Sequence, residues 1–290
     1  MKFDKNTKIL IVGLGLIGGS YAKALSDNGY FVGAIDKKKS SVEYALKNGL
    51  IQVGETSVKK DFVKDFDLIV FALYPHDFIN WIKEYQSSIK SGALITDVTG
   101  VKSFVVENVQ KILRGDLEFV GAHPMAGKEV SGVENADPKI FVGANYIVTP
   151  TKRNTDENVQ AVKDLGRALG FERISSLSPE EHDETVGFLS HLTHCIAVSL
   201  MVSKKSQHLA EYTGDSFRDL TRIAKINDEM WSELFLANKD ELLKQMDLFE
   251  EKFNQLKEDI KNDNREKLRE TLRESTARRK VFDKDAKETK

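Results

Sequence analysis

Over the first 150 residues, apolar and polar positions fall into a repeating pattern. Short continuous apolar runs ("KILIVG" from Lys8, "FVGAID" from Phe31, "DLIVFAL" from Asp67, "ALITDV" from Ala93) each give way to a stretch with helical period. The helical stretches are "LIGGSYAKALSDNG", "SVEYALKNG", "HDFINWIKEY" and "KSFVVENVQKIL", and "LEFVGAH" and "NYIVTP" complete the strand set. Strands rich in Val, Ile and Leu that alternate with helices predict a parallel sheet covered on both faces. The right-handed crossover rule makes this a doubly wound α/β domain.

Near residue 177 the pattern changes. "SPEEHDETVGFLSHLTHCIAVSLMVSKK" opens with Ser178 as N-cap, Pro179 at the first helical position and Glu181 completing a capping box. From Val186 to Val202 the helix is apolar on nearly every side, so it is expected to be buried all round, inside a helical domain or against a second copy of itself. The chain then stays helical almost to its end, and 283–290 ("DKDAKETK") reads as a disordered tail. The expected organisation is a dinucleotide-binding domain over 1–176 and an all-helical substrate-binding and dimerisation domain over 177–290. A cleft between them is the expected place for a site.

Composition narrows the function. The 290 residues are 40% hydrophobic and 30% charged with a net charge of −2, so no strongly basic field is available for a nucleic acid. The short basic runs sit beside acids. Cys195 is the single cysteine, which excludes an internal disulfide and suits a reducing compartment. The charged N-terminus does not read as a signal peptide, and no apolar run approaches bilayer-spanning length, so a cytoplasmic protein without membrane partners is expected.

"VGLGLIGGS" sets Gly13, Gly15 and Gly18 in the spacing G-x-G-x-x-G between the first strand and first helix. That context turns a weak motif into a dinucleotide-binding one: a tight turn, a close approach to pyrophosphate and close helix packing. Gly13, Gly15, Leu16, Ile17 and Gly18 would hold the phosphates on free helix N–H groups. Asp36 ends the second strand where an acid would accept from the adenosine ribose and repel a 2′-phosphate. The cofactor expected is therefore NAD, although Lys37, Lys38 and Lys39 blunt the discrimination against NADP.

Three further groups carry chemistry. His123 in "GAHPMAG" follows a strand among small residues; an imidazole near its ordinary pKa of about 6.5 suits a general base, but a plain loop histidine fits the pattern equally. "SHLTHCIA" puts Ser190 with His194, and His191 with His194 and Cys195, on shared helical faces. The second set has metal-ligand spacing but apolar flanks, so a polar stripe facing the cleft is preferred and no metal is expected. Arg218 and Arg222, four apart, suit a substrate with carboxylates, yet Asp215 and Asp219 are close enough to neutralise both.

Taken in order, "VGLGLIGGS", "AID", "TDV..VK", "GAHPMAGKEVSG", "SHLTH", "FRDLTRIA" and "MWSELFLANK" resemble the prephenate and arogenate dehydrogenases of tyrosine biosynthesis over nearly the whole chain. The resemblance implies NAD-dependent oxidative decarboxylation of a cyclohexadienol, with prephenate favoured, and His123 as base for the ring hydroxyl. It implies that Arg222 grips the substrate carboxylate with Arg218 as a second cation. It further implies that Ser190 and His194 face the substrate, Glu129 stands beside the entrance and Trp231 lies near the pocket. Three departures stand out. Gly100 occupies the position of a serine that supports the histidine in the family, with Thr99 or water as candidate substitutes. "SHLTH" lacks the family's helix-distorting proline, and Asp215 and Ser216 replace a glycine-rich lead. The alternatives are arogenate as substrate and, in another class, a noncatalytic NAD-binding regulator; His123 and Arg222 argue against the latter. A homodimer built on the apolar helix is expected, with no fused regulatory domain.

Overall fold

The computed structural model describes residues 1–205 and 208–282, so the expected tail at 283–290 lies outside the described residues. The chain divides into two compact units, Met1–Lys239 and Asp240–Lys290.

In the first unit, six strands form a parallel sheet in the order β3-β2-β1-β4-β5-β6. They are β1 (Lys8–Val12), β2 (Phe31–Ile35), β3 (Val53–Glu55), β4 (Leu68–Phe71), β5 (Leu94–Asp97) and β6 (Glu118–Phe119). Helices α1 (Leu16–Asp27), α2 (Lys39–Lys47), α3 (Lys60–Val63), α4 (Pro75–Tyr85) and α5 (Ser103–Ile112) lie in the connections. Two apolar clusters, one around Ile9, Ile11, Val32 and Val70 and one around Leu10, Ile69, Phe71 and Ile95, account for the unbroken apolar runs: the central strands are buried on both faces. Strand order reverses between β1 and β4, which is where a doubly wound sheet opens a crevice for ligands.

"LEFVGAH" departs from the expectation of one continuous strand. Val120 closes the main ladder by donating to the Ile95 carbonyl at 3.0 Å. The chain then turns into β7 (Gly121–Pro124), which pairs antiparallel with β8 (Asn145–Thr149) in a separate three-stranded sheet completed by β9 (Arg173–Ser176). A Cβ on Gly121 would stand 2.5 Å from the Thr149 hydroxyl, so only glycine lets the two strands meet. Strands β3 and β9 escape an apolar-run reading because both sit at sheet edges and neither contains a fully buried residue. Helix α6 (Asp156–Ala168) covers the second sheet, where Gly166 gives Tyr146 room.

The capping box at Ser178 forms as the sequence predicts: its hydroxyl accepts from the Glu181 N–H at 3.1 Å, and the Glu181 carboxylate accepts from the Ser178 N–H at 2.8 Å. The helix runs as α7 (Pro179–Val186), a π-helical segment (Gly187–Leu192) and α8 (Thr193–Val202). One expectation divides and one is corrected here. Within the chain the helix exposes Phe188, Leu189, Met201 and Val202, so of the two expected coverings a second copy of itself is the one left for that side. At 24 residues it is also long and apolar enough, by length and composition, to cross a bilayer; the acids of its first turn mask this in a simple scan for apolar runs. Beyond it lie α9 (Asp215–Thr221) and α10 (Asp228–Ala237). The second unit is made of α11 (Lys239–Lys261, which begins at the junction) and α12 (Arg265–Arg279), joined by a turn in which Asp263 has φ 52°. Leu243, Leu248, Phe249, Phe253 and Ile260 of α11 are exposed.

The glycine-rich turn separates structural from ligand-facing glycines. A Cβ on Gly18 would lie 1.9 Å from the Gly13 carbonyl oxygen, whereas one on Gly15 meets nothing within 4 Å. Gly18→Ala is expected to cost about 1–3 kcal/mol, lowering Tm by several degrees, and Gly15→Ala to leave it unchanged. Differential scanning calorimetry checks this, and an unshifted Gly18→Ala melt contradicts it.

Candidate active site

The turn after β1 is fixed from two directions. Gly13, with φ +99°, donates to the Ile35 carbonyl at 2.8 Å, and the Leu14 N–H donates to Asp36 Oδ2 at 2.6 Å. Asp36 Oδ1 accepts from the Lys38 N–H at 2.7 Å. Asp36 thus ties the turn to the end of β2. Helix α1 begins at Gly15 with no side-chain cap. Its first N–H groups, at Leu16, Ile17 and Gly18, are offered over the open space beside Gly15, a cradle that fits a pyrophosphate.

His123 is the third residue of β7, in register with Ile147 of β8. Its strand is held by Asp97 at the end of β5, whose Oδ1 accepts from the Ala122 N–H at 3.0 Å. Asp97 Oδ2 accepts from Lys102 Nζ at 2.6 Å, and both side chains have no exposed surface. The Thr99 hydroxyl reaches Asp97 and the Val101 carbonyl and receives Lys102 Nζ at 3.0 Å. Thr99 therefore belongs to the charge pair beneath His123, and the expectation that it orients the imidazole is not met.

The imidazole of His123 instead meets His182. His182 Nε2 lies 2.8 Å from His123 Nδ1, and His182 Nδ1 lies 2.8 Å from Asp183 Oδ1. The Asp183 carboxylate also accepts from the Lys102 and Ser103 N–H groups, each at 2.8 Å, at the start of α5. The other edge of His123 faces Gly100: a Cβ built there would meet His123 Nε2 at 3.7 Å and the Leu234 methyls at 3.6 Å. Leu234 is carried by α10, which is tied to the start of α4 by Glu233, 2.6 Å from the His76 N–H.

The remaining predicted residues divide. His194 donates through Nδ1 to the Ser190 carbonyl at 2.8 Å and stacks on Trp231 with ring centroids 3.7 Å apart. His191 turns inward to Asn238, whose amide nitrogen lies 3.3 Å from its Nδ1. Arg222 forms an ion pair with Glu129 rather than with Asp219. Arg218 pairs with Asp215 at 2.7 Å and donates to the Thr213 carbonyl at 3.0 Å, and its side chain stays largely exposed. The π-helical segment carries Ser190 and His191 without the proline that the resemblance associates with distortion. Such wide turns are frequent at functional sites. The sequence pattern assigns no role to His182 or Asp183, and Lys102 and Asn238 enter it only as members of "TDV..VK" and "MWSELFLANK". "EEHDE" did offer a signal, a histidine and an acid adjacent in the first turns of a capped helix.

Burial depresses the imidazoles. His123 lies well below the ordinary value, through burial first and then the neighbouring His182, Lys102 and His191. His182 is lowered by burial against the opposing pull of Asp183, and His191 is pushed down to about 4. Burial alone would raise Asp183, but His182 and the two backbone donors leave it below the usual carboxylate range. His123 is accordingly neutral at pH 7 and able to accept a proton.

Residues 21–173 match the family model for the prephenate dehydrogenase nucleotide-binding domain, and residues 178–274 that for the prephenate dehydrogenase dimerization domain. The chain belongs to the prephenate dehydrogenase family. The first match starts after the glycine-rich turn, whose assignment rests on its own geometry. Prephenate dehydrogenase of Bacillus subtilis is 35% identical over 82% of this chain, which spans 66% of that protein's length. That of Lactococcus lactis is 32% identical over 86% of this chain and 70% of its own. The crystal structure of Aquifex aeolicus prephenate dehydrogenase in complex with hydroxyphenyl propionate and NAD+ superposes with a TM-score of 0.87 at 34% identity, over 96% of this chain and 98% of that one.

The buried imidazoles set a pH dependence on stability. His182 and His191 have 0% and 1% exposure, and their folded pKa values lie below the unfolded value of about 6.5. As pH falls through 6.5, the unfolded chain gains protons that the folded chain does not, so stability falls with it. Between pH 7.5 and 5.5 His191, at about 4, should alone cost about 1.3 kcal/mol, a Tm decrease of about 3 °C, and His182 should act in the same direction. A Tm equal or higher at pH 5.5 contradicts this assignment.

Proposed function

We propose that the protein is an NAD-dependent prephenate dehydrogenase that converts prephenate to 4-hydroxyphenylpyruvate and CO2. The observation that carries this reading is the neutral, anchored His123, its Nε2 edge turned to the side-chain-free position 100, in a chain of this family. The Aquifex complex holds a ligand with a phenolic hydroxyl at one end and a carboxylate at the other. His123 suits the first and the Arg222 guanidinium the second.

In this mechanism His123 takes the proton of the ring hydroxyl at Nε2 as the ring carbon is oxidised. NAD, when bound, supplies the two-electron acceptor for the hydride of that carbon. The ring carboxylate departs as CO2, and the electrons of its C–C bond complete the aromatic ring. The proton held by His123 returns to the phenolate oxygen. Arg222 fixes a substrate carboxylate and exchanges its Glu129 partner for it. The His194–Trp231 stack, its imidazole held by the Ser190 carbonyl, offers a face on which a ring can lie. The cradle at Gly13, Gly15, Leu16, Ile17 and Gly18 holds the pyrophosphate, and Asp36 the adenosine ribose. The Bacillus subtilis and Lactococcus lactis relatives, both prephenate dehydrogenases, favour prephenate over arogenate as the substrate.

Residues 1–176 would serve the cofactor and 177–290 the substrate and the dimer, in the cytoplasm. The exposed apolar residues Phe188, Leu189, Met201 and Val202 support a homodimer through the long helix. Multi-angle light scattering should return twice the 32.7 kDa chain mass, and a monomer at micromolar concentration removes that part of the reading.

Turnover tests the function directly. NADH formation with prephenate should exceed NADPH formation and exceed the rate with arogenate. His123→Asn should lower kcat by about 10²–10⁴-fold with little change in KM. Absence of turnover with both substrates refutes the reading, and an unchanged kcat in the variant removes His123 from it.

A further inference from the structure

We propose that His182, backed by Asp183, is a positioning residue that fixes the tautomer and direction of His123. The proposal rests on the reading of His123 as the base. The Asp183 carboxylate accepts from the backbone N–H groups of Lys102 and Ser103, each at 2.8 Å, as well as facing His182 Nδ1 at 2.8 Å. A carboxylate receiving that many donors is ionised and can only accept, so His182 donates to it through Nδ1–H. A neutral imidazole carries one N–H, so His182 Nε2 presents a lone pair. At 2.8 Å from that lone pair, His123 Nδ1 must be the donor. Its own single N–H is then committed, and Nε2 is left as the acceptor, on the edge that faces Gly100.

The opposite assignment would make His182 a cation that donates to His123 Nδ1, leaving His123 with an Nε2–H and no basic edge. The surroundings oppose it. His182 is fully buried, and the Lys102 ammonium sits in the same cluster, where a second positive charge is costly. The groups facing the pair are Lys102 and Asp97 from the end of β5 and the start of α5, Asp183 from α7, and His191 from the π-helical segment. Only Asp97 and Asp183 are anionic; Asp97 is taken up by Lys102, and Asp183 is the one bonded to His182.

The relay also matters after proton transfer. When His123 gains a proton at Nε2, its Nδ1–H becomes a charge-assisted donor to His182, and Asp183 stabilises the charge through the second imidazole. The ring stands edge-on to His182 at 5.1 Å between centroids, and a half-turn about Cβ–Cγ would put Cδ2 where Nδ1 donates and lose the hydrogen bond. With this support on the Nδ1 side, position 100 is free to carry no side chain.

Histidine-selective ¹⁵N NMR of the full-length protein at pH 7.5 reads the tautomer, with the His123 signals assigned by their loss in His123→Asn. A protonated Nδ1 and an unprotonated Nε2 are expected; an Nε2–H tautomer overturns the proposal. In His182→Leu the tautomer should become mixed and kcat should fall on the order of 10²–10³-fold, with KM within about threefold. His182→Gln, whose amide oxygen can accept the Nδ1–H, should recover at least about tenfold of that loss. Unchanged kcat in His182→Leu, or a Gln variant no better than Leu, overturns it as well. Should the Leu variant not fold, the wild-type tautomer and the Gln kcat decide. Wild-type turnover is measured first: its absence strikes the proposed function, while the tautomer still reports on the relay.

Discussion

The buried charge cluster of Asp97, Lys102 and Asp183 is the constraint on which the rest of the site depends. Asp97 and Lys102 have no exposed surface, and removing either would leave the other as an uncompensated buried ion, a cost of about 3–5 kcal/mol. The cluster is also a junction. Asp97 holds the main sheet to β7 through the Ala122 N–H, and Asp183 holds the long helix to the start of α5 through two backbone donors. His123 sits on the strand that the first carboxylate fixes and touches the histidine that the second one fixes. Its position is therefore set by three elements far apart in sequence.

The glycine-rich turn obeys the same economy of contacts with different means. Asp36 spends one carboxylate oxygen on the Leu14 N–H and the other on the Lys38 N–H, so this acid is held in place by the turn it helps to shape. Among the glycines, Gly13 and Gly18 answer to neighbouring backbone, whereas Gly15 answers to open space. The distinction divides one motif into a part held by packing and a part left open.

The long helix combines two roles that pull its composition in opposite directions. Its buried side supplies His182, Asp183 and His191 to the site, and its other side presents Phe188, Leu189, Met201 and Val202 outward. The π-helical segment lies between them, changing the angular spacing of the residues after Val186. A helix that is apolar all round is thus reconciled with a polar site: one side is used within the chain, and the other is left for a surface beyond it.

The sequence by itself determined the parallel sheet, the dinucleotide turn, the capping box at Ser178 and the family, because each depends on local period or spacing. It pointed to His123, Arg222 and His194 on the same terms. It did not reveal that "LEFVGAH" bends out of one sheet into another, since the reason, Thr149 against Gly121, lies 28 residues away. Nor did it reveal that Arg222 meets Glu129, 93 residues distant, whereas the Arg218–Asp215 pair, three residues apart, was within reach of spacing alone. Above all, it left open what orients His123. The answer, His182 at a separation of 59 residues, leaves no periodic trace, because a hydrogen bond between two imidazoles is made by the meeting of a strand end and a helix start. Local physics wrote the elements into the sequence, and the pairing of polar groups across them was decided only by the tertiary structure.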